Sequence, residues 1–318
     1  MSKKIKWYDL PPEFLFLKGI KKISNTFNEK PWPIQNLEGL YRTQNRILLN
    51  FYSKVFNETL LCLDSMSESA ESFDGNALAN APIWMLWLQG FSEFPHELSF
   101  CIDSIKKHSS GHPVNFLDLS EARKLVYIPD SIMSLYDAGN LRPALLCDYI
   151  RAALLEEYGG IWLDSSVMLV RDIPDWILKV PFWSVKGLDF FPYSLVIPDG
   201  RNWQIYAMAG QPHALFYKGF CELFLEYCEK IDTSIDYFMS YQISYLLRTR
   251  VRSIAASYKL ISNNNKKCES LQAFLQGYAP IRNAGFDSVA DETTFLYKLS
   301  RYDTDILREA SHVFVELG

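Results

Sequence analysis

The stretch CDYIRAALLEEYGGIWLDSS, residues 147–166, joins a helical pattern to a strand pattern. Apolar residues lie all round the predicted helix, which indicates that the helix is buried. Gly159 and Gly160 end the helix, and the apolar strand IWL follows and delivers Asp164 at its carboxyl end. Because ligands of open α/β sheets bind outside the carboxyl ends of strands, Asp164 is a candidate ligand-binding carboxylate.

Two charged residues stand inside this apolar helix. Asp148 and Arg151 are three positions apart and therefore share one face of the helix. A charge inside a protein persists only when it is paired or bound. On spacing alone a structural ion pair is the favoured interpretation. The carboxylate of Asp164, which follows directly in the chain, turns the pair into a candidate site.

Strand and helix patterns alternate around this stretch. Short apolar runs before the quoted segment predict two buried strands, and a polar segment near the end predicts a surface loop. The order strand, helix, strand, helix, strand is typical of an α/β sheet with parallel pairs. The predicted strands cover 81–90, 113–119 and 161–164, with further apolar runs at 181–185 and 193–197. The predicted helices cover 37–63, 94–111, 120–126, 130–138, 141–158, 212–230 and 234–258, and the predicted loop covers 262–270.

The composition excludes several classes of protein. The chain has 318 residues, of which 48% are hydrophobic, enough for a large core. A net charge of −5 gives no overall attraction to nucleic acid. The six cysteines form no C-x-x-C pair and are expected to be reduced and structural. No run approaches the ~20 apolar residues of a membrane-spanning helix, so we expect a cytoplasmic protein.

Residues 1–34 form the most basic part of the chain. Their lysines alternate with aromatic and apolar residues and are interrupted by prolines. Such a mixture can lie on an anionic membrane face as a peripheral contact. It can equally form a basic arm that packs across the domain, and the pattern leaves both interpretations open.

Several short motifs occur in a particular order: IWMLWLQG, CIDS, YIPDSI, CDYIRAALLEEYGGIWLDSS and DIPDW, best matched over about residues 82–176. Together they resemble the capsular polysaccharide synthesis glycosyltransferases, a group related to the DXD-containing glycosyltransferases that include yeast mannosyltransferases and clostridial glucosylating toxins. The resemblance implies an α/β GT-A fold, a Rossmann-like nucleotide-sugar-binding fold with additional N-terminal and C-terminal helices. We expect residues 1–80 to form a basic arm and helical segment, and residues 81–318 to form the GT-A domain.

The same resemblance implies roles for individual residues. Trp87 falls where the family stacks an aromatic side chain on the nucleotide base. Asp148 and Arg151 fall where an Asp and an Arg hold the donor sugar and approach its phosphates, and they are the expected catalytic residues. Cys147 replaces the serine that precedes this Asp, a change between two small residues. Lys298, in the sequence YKLS, resembles the segment that closes over the donor and is expected to contact the diphosphate.

Asp164 falls on the first aspartate of the D-x-D motif, which binds the metal–diphosphate in the family. The resemblance implies Mn²⁺ or Mg²⁺ on Asp164 and Ser166, with Ser165 beside the donor. Ser166 replaces the second aspartate, and a hydroxyl binds a divalent ion more weakly than a carboxylate, which leaves metal dependence open. His213 and His312 are candidate additional ligands or ordinary structural histidines.

The function expected from this resemblance is transfer of a hexose, with galactose or glucose favoured, from a UDP-sugar with retention of configuration. The acceptor would be a saccharide on a polyprenyl diphosphate at the inner face of the cell membrane. Two alternatives remain: a glycosyltransferase that modifies proteins, and a catalytically silent module that binds nucleotide sugars or glycans. Asp236 and Tyr237 would face the acceptor or simply lie on an outward helix face. The aromatic residues expected in the core are Trp84, Trp162, Trp176 and Trp183.

Overall fold

Helices alternate with short strands along the chain. The computed structural model describes residues 4–6, 10–14, 38–66 and 80–317. The strands in these ranges are β1 (Ile83–Leu86), β2 (Val114–Leu117), β3 (Gly160–Leu163), β4 (Val167–Leu169), β5 (Phe182–Ser184), β6 (Ala207–Gly210) and β7 (Leu296–Lys298). The α-helices are α1 (Glu38–Val55), α2 (Asn57–Ser65), α3 (Ser99–Lys107), α4 (Leu119–Leu125), α5 (Asp130–Asp137), α6 (Pro143–Tyr158), α7 (Leu215–Lys230), α8 (Met239–Arg250), α9 (Arg252–Leu260), α10 (Ser270–Leu275), α11 (Ala279–Arg282) and α12 (Thr304–Leu317).

Five of the strands form a mixed sheet in the order β2-β1-β3-β6-β5. β1 is parallel to both β2 and β3, and β6 is antiparallel to β3 and β5. The carboxyl ends of β1 and β3 therefore meet at one edge of the sheet. Trp87 directly follows β1 and Asp164 directly follows β3, so both lie at this edge. The predicted α/β fold, with helices before and after the sheet domain, is confirmed.

The turn from α6 into β3 requires its two glycines. Gly159 and Gly160 have φ angles of +62° and +97°. A Cβ atom on Gly160 would lie 2.3 Å from the carbonyl oxygen of Pro82, and one on Gly159 would lie 2.6 Å from the nitrogen of Pro212. Residues with side chains rarely adopt such φ angles, and here they would also collide with backbone. The glycine pair thus sets the direction in which β3 leaves the helix.

Helix α6 is buried on all sides, as its apolar pattern predicts. It packs against α7 and against β1 and β3. The side chains of Ile150, Leu154 and Leu155 are inaccessible to solvent. Asp148 and Arg151 on the same helix are only 6% and 5% exposed. Their charges must therefore be neutralised inside the protein.

A separate two-stranded ribbon brings the C-terminal part of the chain to the sheet edge. β4 pairs antiparallel with β7, and Val167 lies opposite Lys298. The backbone nitrogen of Leu299 donates a hydrogen bond of 2.9 Å to the carbonyl oxygen of Ser166. The ribbon therefore places Lys298 beside the residues that follow β3.

Two elements differ from their sequence patterns. The helix predicted over 37–63 is two helices, α1 and α2, which meet at the fully buried Phe56, whose ring stacks on Tyr52 at 5.7 Å. The apolar run at 193–197 forms turns and not a strand. β6 was not predicted, because its sequence AMAG has weak strand propensity.

α1 packs against α8, and α2 packs against α7. The division of the chain at residue 80 stays a prediction.

The segment 262–270 is only in part the surface loop that its composition predicts, because Ser262, Asn263 and Lys266 are exposed but most of its other residues are buried. Asn264 and Asn265 are buried. The side-chain oxygen of Asn265 accepts hydrogen bonds from the backbone nitrogens of Phe295 and Leu296, at 2.9 and 3.2 Å. The backbone nitrogen of Asn264 donates to the carbonyl oxygen of Lys186 at 2.8 Å. Polar side chains are stable inside a protein when they satisfy such backbone groups, and composition alone does not reveal this.

The cysteines are unpaired, and three of the four tryptophans expected in the core lie there. All six cysteines are free. Trp84, Trp162 and Trp183 are buried as expected, but Trp176 is 42% exposed and does not belong to the core. Within the described ranges, no helix has the length and apolar character needed to cross a membrane.

Candidate functional site

A cavity of about 510 Å³ opens at the sheet edge where β1 and β3 end. Its walls contain all the site residues predicted from the sequence: Trp87, Asp148, Arg151, Asp164, Ser165, Ser166 and Lys298. Another cavity, of about 590 Å³, is lined in part by Trp176 and Lys179 and contains none of them. The smaller cavity is therefore the candidate site.

Arg151 connects the two carboxylates of the site. Its Nη1 atom lies 3.0 Å from Oδ1 of Asp148, and its Nη2 atom lies 2.9 Å from Oδ1 of Asp164. Nη1 also donates to the carbonyl oxygen of Ile205 at 2.7 Å. The guanidinium carbon lies 4.9 Å from the centre of the Trp162 ring. These contacts hold the guanidinium rigidly at the floor of the cavity.

The two carboxylates differ in their protonation behaviour. Burial raises the pKa of Asp148 to about 6, although Arg151 and a hydrogen bond from the Ser240 hydroxyl favour its ionised form. Burial also acts to raise the pKa of Asp164, but Arg151 and Lys298 together hold it below its usual range. Asp164 is therefore ionised at neutral pH, whereas the raised pKa of Asp148 is about 6.

Lys298 approaches Asp164 from the C-terminal ribbon. Its Nζ atom lies 3.3 Å from Oδ2 of Asp164 and donates to the hydroxyl oxygen of Ser166. On the other side of the carboxylate, Nε1 of Trp162 donates to Oδ1 of Asp164 at 2.9 Å. Both carboxylate oxygens of Asp164 thus have partners in the protein: Oδ1 accepts from Arg151 and Trp162, and Oδ2 accepts from Lys298.

These contacts decide how well the site fits a divalent cation. Mg²⁺ and similar hard ions need about six oxygen ligands, several of them usually carboxylates or waters. The predicted donor atoms belong to Asp164 and Ser166, and both residues are bonded to the Lys298 ammonium. Among the described residues, no group of three or more His, Cys, Asp or Glu is arranged to hold a metal. His213 and His312 do not line the cavity. The donor set does not fit a resident metal ion.

Trp87 lies at the mouth of the cavity. Its ring packs edge-on against Phe94, with 5.2 Å between the ring centres. The guanidinium carbon of Arg301 lies 5.8 Å from the centre of the Trp87 ring and 4.8 Å from that of Tyr302. Tyr237 also lines the cavity, whereas the buried Asp236 beside it does not. The mouth therefore offers aromatic faces and a cation to a planar, polar ligand.

The sequence did not indicate Glu269, a carboxylate in the cavity wall. The residue is only 6% exposed. Burial raises the pKa of its carboxyl group to about 7, although the neighbouring Lys298 and a hydrogen bond with Tyr206 lower it. Glu269 lies in the polar segment 262–270, where no motif marks it. The sequence also did not indicate Tyr206, Ser240 and Arg301, because only tertiary packing brings them to the site.

Solved structures similar to the chain include three glycosyltransferases. PaToxG glycosyltransferase has 12% sequence identity and a TM-score of 0.39, with 86% of this chain and 98% of that chain covered. The apo-form glycosyltransferase GlyE of Streptococcus pneumoniae TIGR4 has 10% identity and a TM-score of 0.42, with 75% and 62% covered. The galactosyltransferase LgtC, in complex with donor and acceptor sugar analogs, has 11% identity and a TM-score of 0.34, with 74% and 94% covered. No curated protein matches the chain.

A family model described as "Capsular polysaccharide synthesis protein" matches residues 29–316. The matched span includes every site residue predicted from the sequence, from Trp87 to Lys298. The match confirms the predicted family and, with it, the expected enzyme class, a glycosyltransferase. The chain belongs to the capsular polysaccharide synthesis protein family.

Proposed function

We propose that the protein is a retaining glycosyltransferase that moves a hexose, with galactose or glucose favoured, from a UDP-sugar to a polyprenyl-diphosphate-linked saccharide in capsule or exopolysaccharide synthesis. One observation carries the proposal. An aromatic side chain, a buried Asp–Arg pair, an ionised aspartate and a lysine, from four separate segments of the chain, meet in one cavity at the carboxyl ends of parallel strands. This is the place where α/β sheets bind nucleotides.

Each group in the cavity suits one part of the donor. Trp87 offers its ring to the uracil base. Carboxylate oxygens accept hydrogen bonds from sugar hydroxyls, and Asp148 is the buried carboxylate suited to the hexose. Arg151 and Lys298 are the cations suited to the diphosphate. Asp164 holds both cations in place, since it pairs with each of them.

The proposed reaction breaks the bond between the anomeric carbon and the diphosphate oxygen, and the bonding electrons leave with UDP. The acceptor hydroxyl oxygen attacks the anomeric carbon from the same face, and its proton passes to the departing phosphate. Arg151 and Lys298 stabilise the negative charge that develops on the leaving group. The Mn²⁺ or Mg²⁺ expected from the family resemblance has no part in these steps, because its predicted ligands are bonded to Lys298.

The cavity mouth supports a saccharide acceptor. Tyr237 and Tyr302 are 46% and 81% exposed there, and exposed aromatic rings with hydroxyl groups can both stack on and hydrogen-bond to sugars. The proposed contact with the inner face of the cell membrane depends on residues 1–34, most of which lie outside the described residues. Flotation with anionic vesicles, with and without residues 1–34, tests it. Equal flotation of the two forms would reject the contact.

The test of function is a donor screen with the purified chain against UDP- and GDP-sugars, measuring nucleotide diphosphate released. We expect slow hydrolysis of one UDP-sugar and a loss of about 100-fold or more in Asp164→Asn, which weakens the hold on both cations. Asp172→Asn is the matched control, because Asp172 lies in the wall of the other cavity. Binding without turnover would favour the silent module, and transfer to a protein would favour the protein-modifying enzyme.

A further inference from the structure

Lys298 occupies the position at which the D-x-D expectation places a metal ion. Its ammonium contacts the two residues that were expected to bind the metal, Asp164 and Ser166. Backbone pairing determines this position, since Lys298 lies opposite Val167 in the β4–β7 ribbon. Its backbone nitrogen also donates to the carbonyl oxygen of Cys268 at 2.9 Å. These backbone contacts fix Lys298 in the cavity wall, and its ammonium is part of the lining.

The ammonium has both charge and a donor to offer an incoming phosphate. A lysine carries three N–H donors, and two of them are directed to Asp164 and Ser166. The Lys298 side chain lines the cavity and is 22% exposed, so a phosphate oxygen bound there can reach the ammonium. Lys298 shares Asp164 with Arg151, so two cations stand around one carboxylate at the edge of the cavity. A divalent ion on the same oxygens would lie against the ammonium and be repelled by it.

We propose that Lys298 replaces the divalent cation of the D-x-D site, so that the protein binds and cleaves its UDP-sugar without a resident metal ion. The inference rests on the proposed function. Lys298 supplies one positive charge and one hydrogen bond to the diphosphate oxygen that keeps the electron pair when the sugar–oxygen bond breaks. Ser166 suits this arrangement better than a second aspartate would, because its neutral hydroxyl accepts from the ammonium without neutralising more of its charge.

Calorimetric binding of UDP and of uridine tests the role of the ammonium. We expect wild-type affinity for UDP to be the same, within about twofold, in EDTA and in Mn²⁺. Lys298→Met should weaken UDP binding by about 10- to 100-fold while uridine binding is unchanged, since uridine has no phosphate. Lys298→Arg should retain most of the affinity. Lys179→Met, which removes an exposed lysine from the other cavity, is the control.

Direct binding of Mn²⁺, followed by electron paramagnetic resonance without any nucleotide, tests the same inference on the wild-type protein, where the result does not depend on how a variant folds. The wild type should leave Mn²⁺ free, and the double variant Ser166→Asp, Lys298→Ala should bind it, because two carboxylates are then available. Tight Mn²⁺ binding by the wild type, or UDP binding that is lost in EDTA and restored by Mn²⁺, would overturn the inference and leave the proposed function standing. Absence of UDP binding in both conditions would overturn both.

Discussion

The carboxyl group of Glu269 should make the protein less stable as the pH rises through neutrality. Burial raises its folded pKa from 4.5 to about 7, so the folded protein holds a proton that the unfolded chain has already released. Stability therefore falls with rising pH: the contribution of the neutral carboxyl to the free energy of unfolding is complete below about pH 4.5 and is lost as the pH rises through about 7. At ~1.36 kcal/mol per pKa unit, the loss is about 3 kcal/mol.

Equilibrium urea unfolding of the wild type and Glu269→Gln at a series of pH values measures this loss. The glutamine cannot ionise, so the variant should gain about 3 kcal/mol relative to the wild type between acidic and mildly alkaline pH. Other titrating groups, including Asp148, are common to both proteins and cancel in the difference. Glu292→Gln, which removes an exposed carboxylate, is the control. Parallel pH profiles for the wild type and Glu269→Gln would refute the reasoning.

Two further predictions concern the cavity mouth and the glycine turn. Trp87→Ala should weaken UDP binding by about tenfold in calorimetry because the alanine offers no ring to the base, and Trp87→Phe should weaken it much less. Unchanged affinity in the alanine variant would exclude base stacking. Gly160→Ala should lower the free energy of unfolding by more than about 3 kcal/mol, because the new Cβ atom meets the Pro82 carbonyl oxygen. Gly139 has a φ of +71° and open space around it, so Gly139→Ala should lower the free energy of unfolding by only about 1 to 2 kcal/mol. Equal losses of stability for the two variants in thermal unfolding would contradict the steric explanation.

The parts of the site that lie close together in the chain could be predicted, and the parts assembled by packing could not. Asp148, Arg151 and Asp164 were found because one helix, one glycine turn and one strand connect them within the matched motif. Glu269 was missed because its segment has a polar composition, although the structure buries part of that segment, where the side-chain oxygen of Asn265 accepts from two backbone nitrogens.

The same limit applies to the fold. The α/β class follows from alternating patterns, which are local properties of the sequence. β6 was missed because alanine, methionine and glycine carry little strand preference, and only pairing with β3 and β5 makes the segment AMAG a strand. Lys298 was expected to contact the donor, but its position opposite Val167 depends on strand register, which no local pattern specifies.

The antiparallel ribbon formed by β4 and β7 also determines when the cavity can be completed during synthesis of the chain. The ribosome produces Asp164 and Ser166 long before it produces Lys298, 134 and 132 positions later. A nascent chain that ends before β7 already contains Asp148, Arg151 and Asp164 but lacks the ammonium that closes the site. Under the proposed function, donor cleavage should therefore begin only after β7 has emerged and paired with β4.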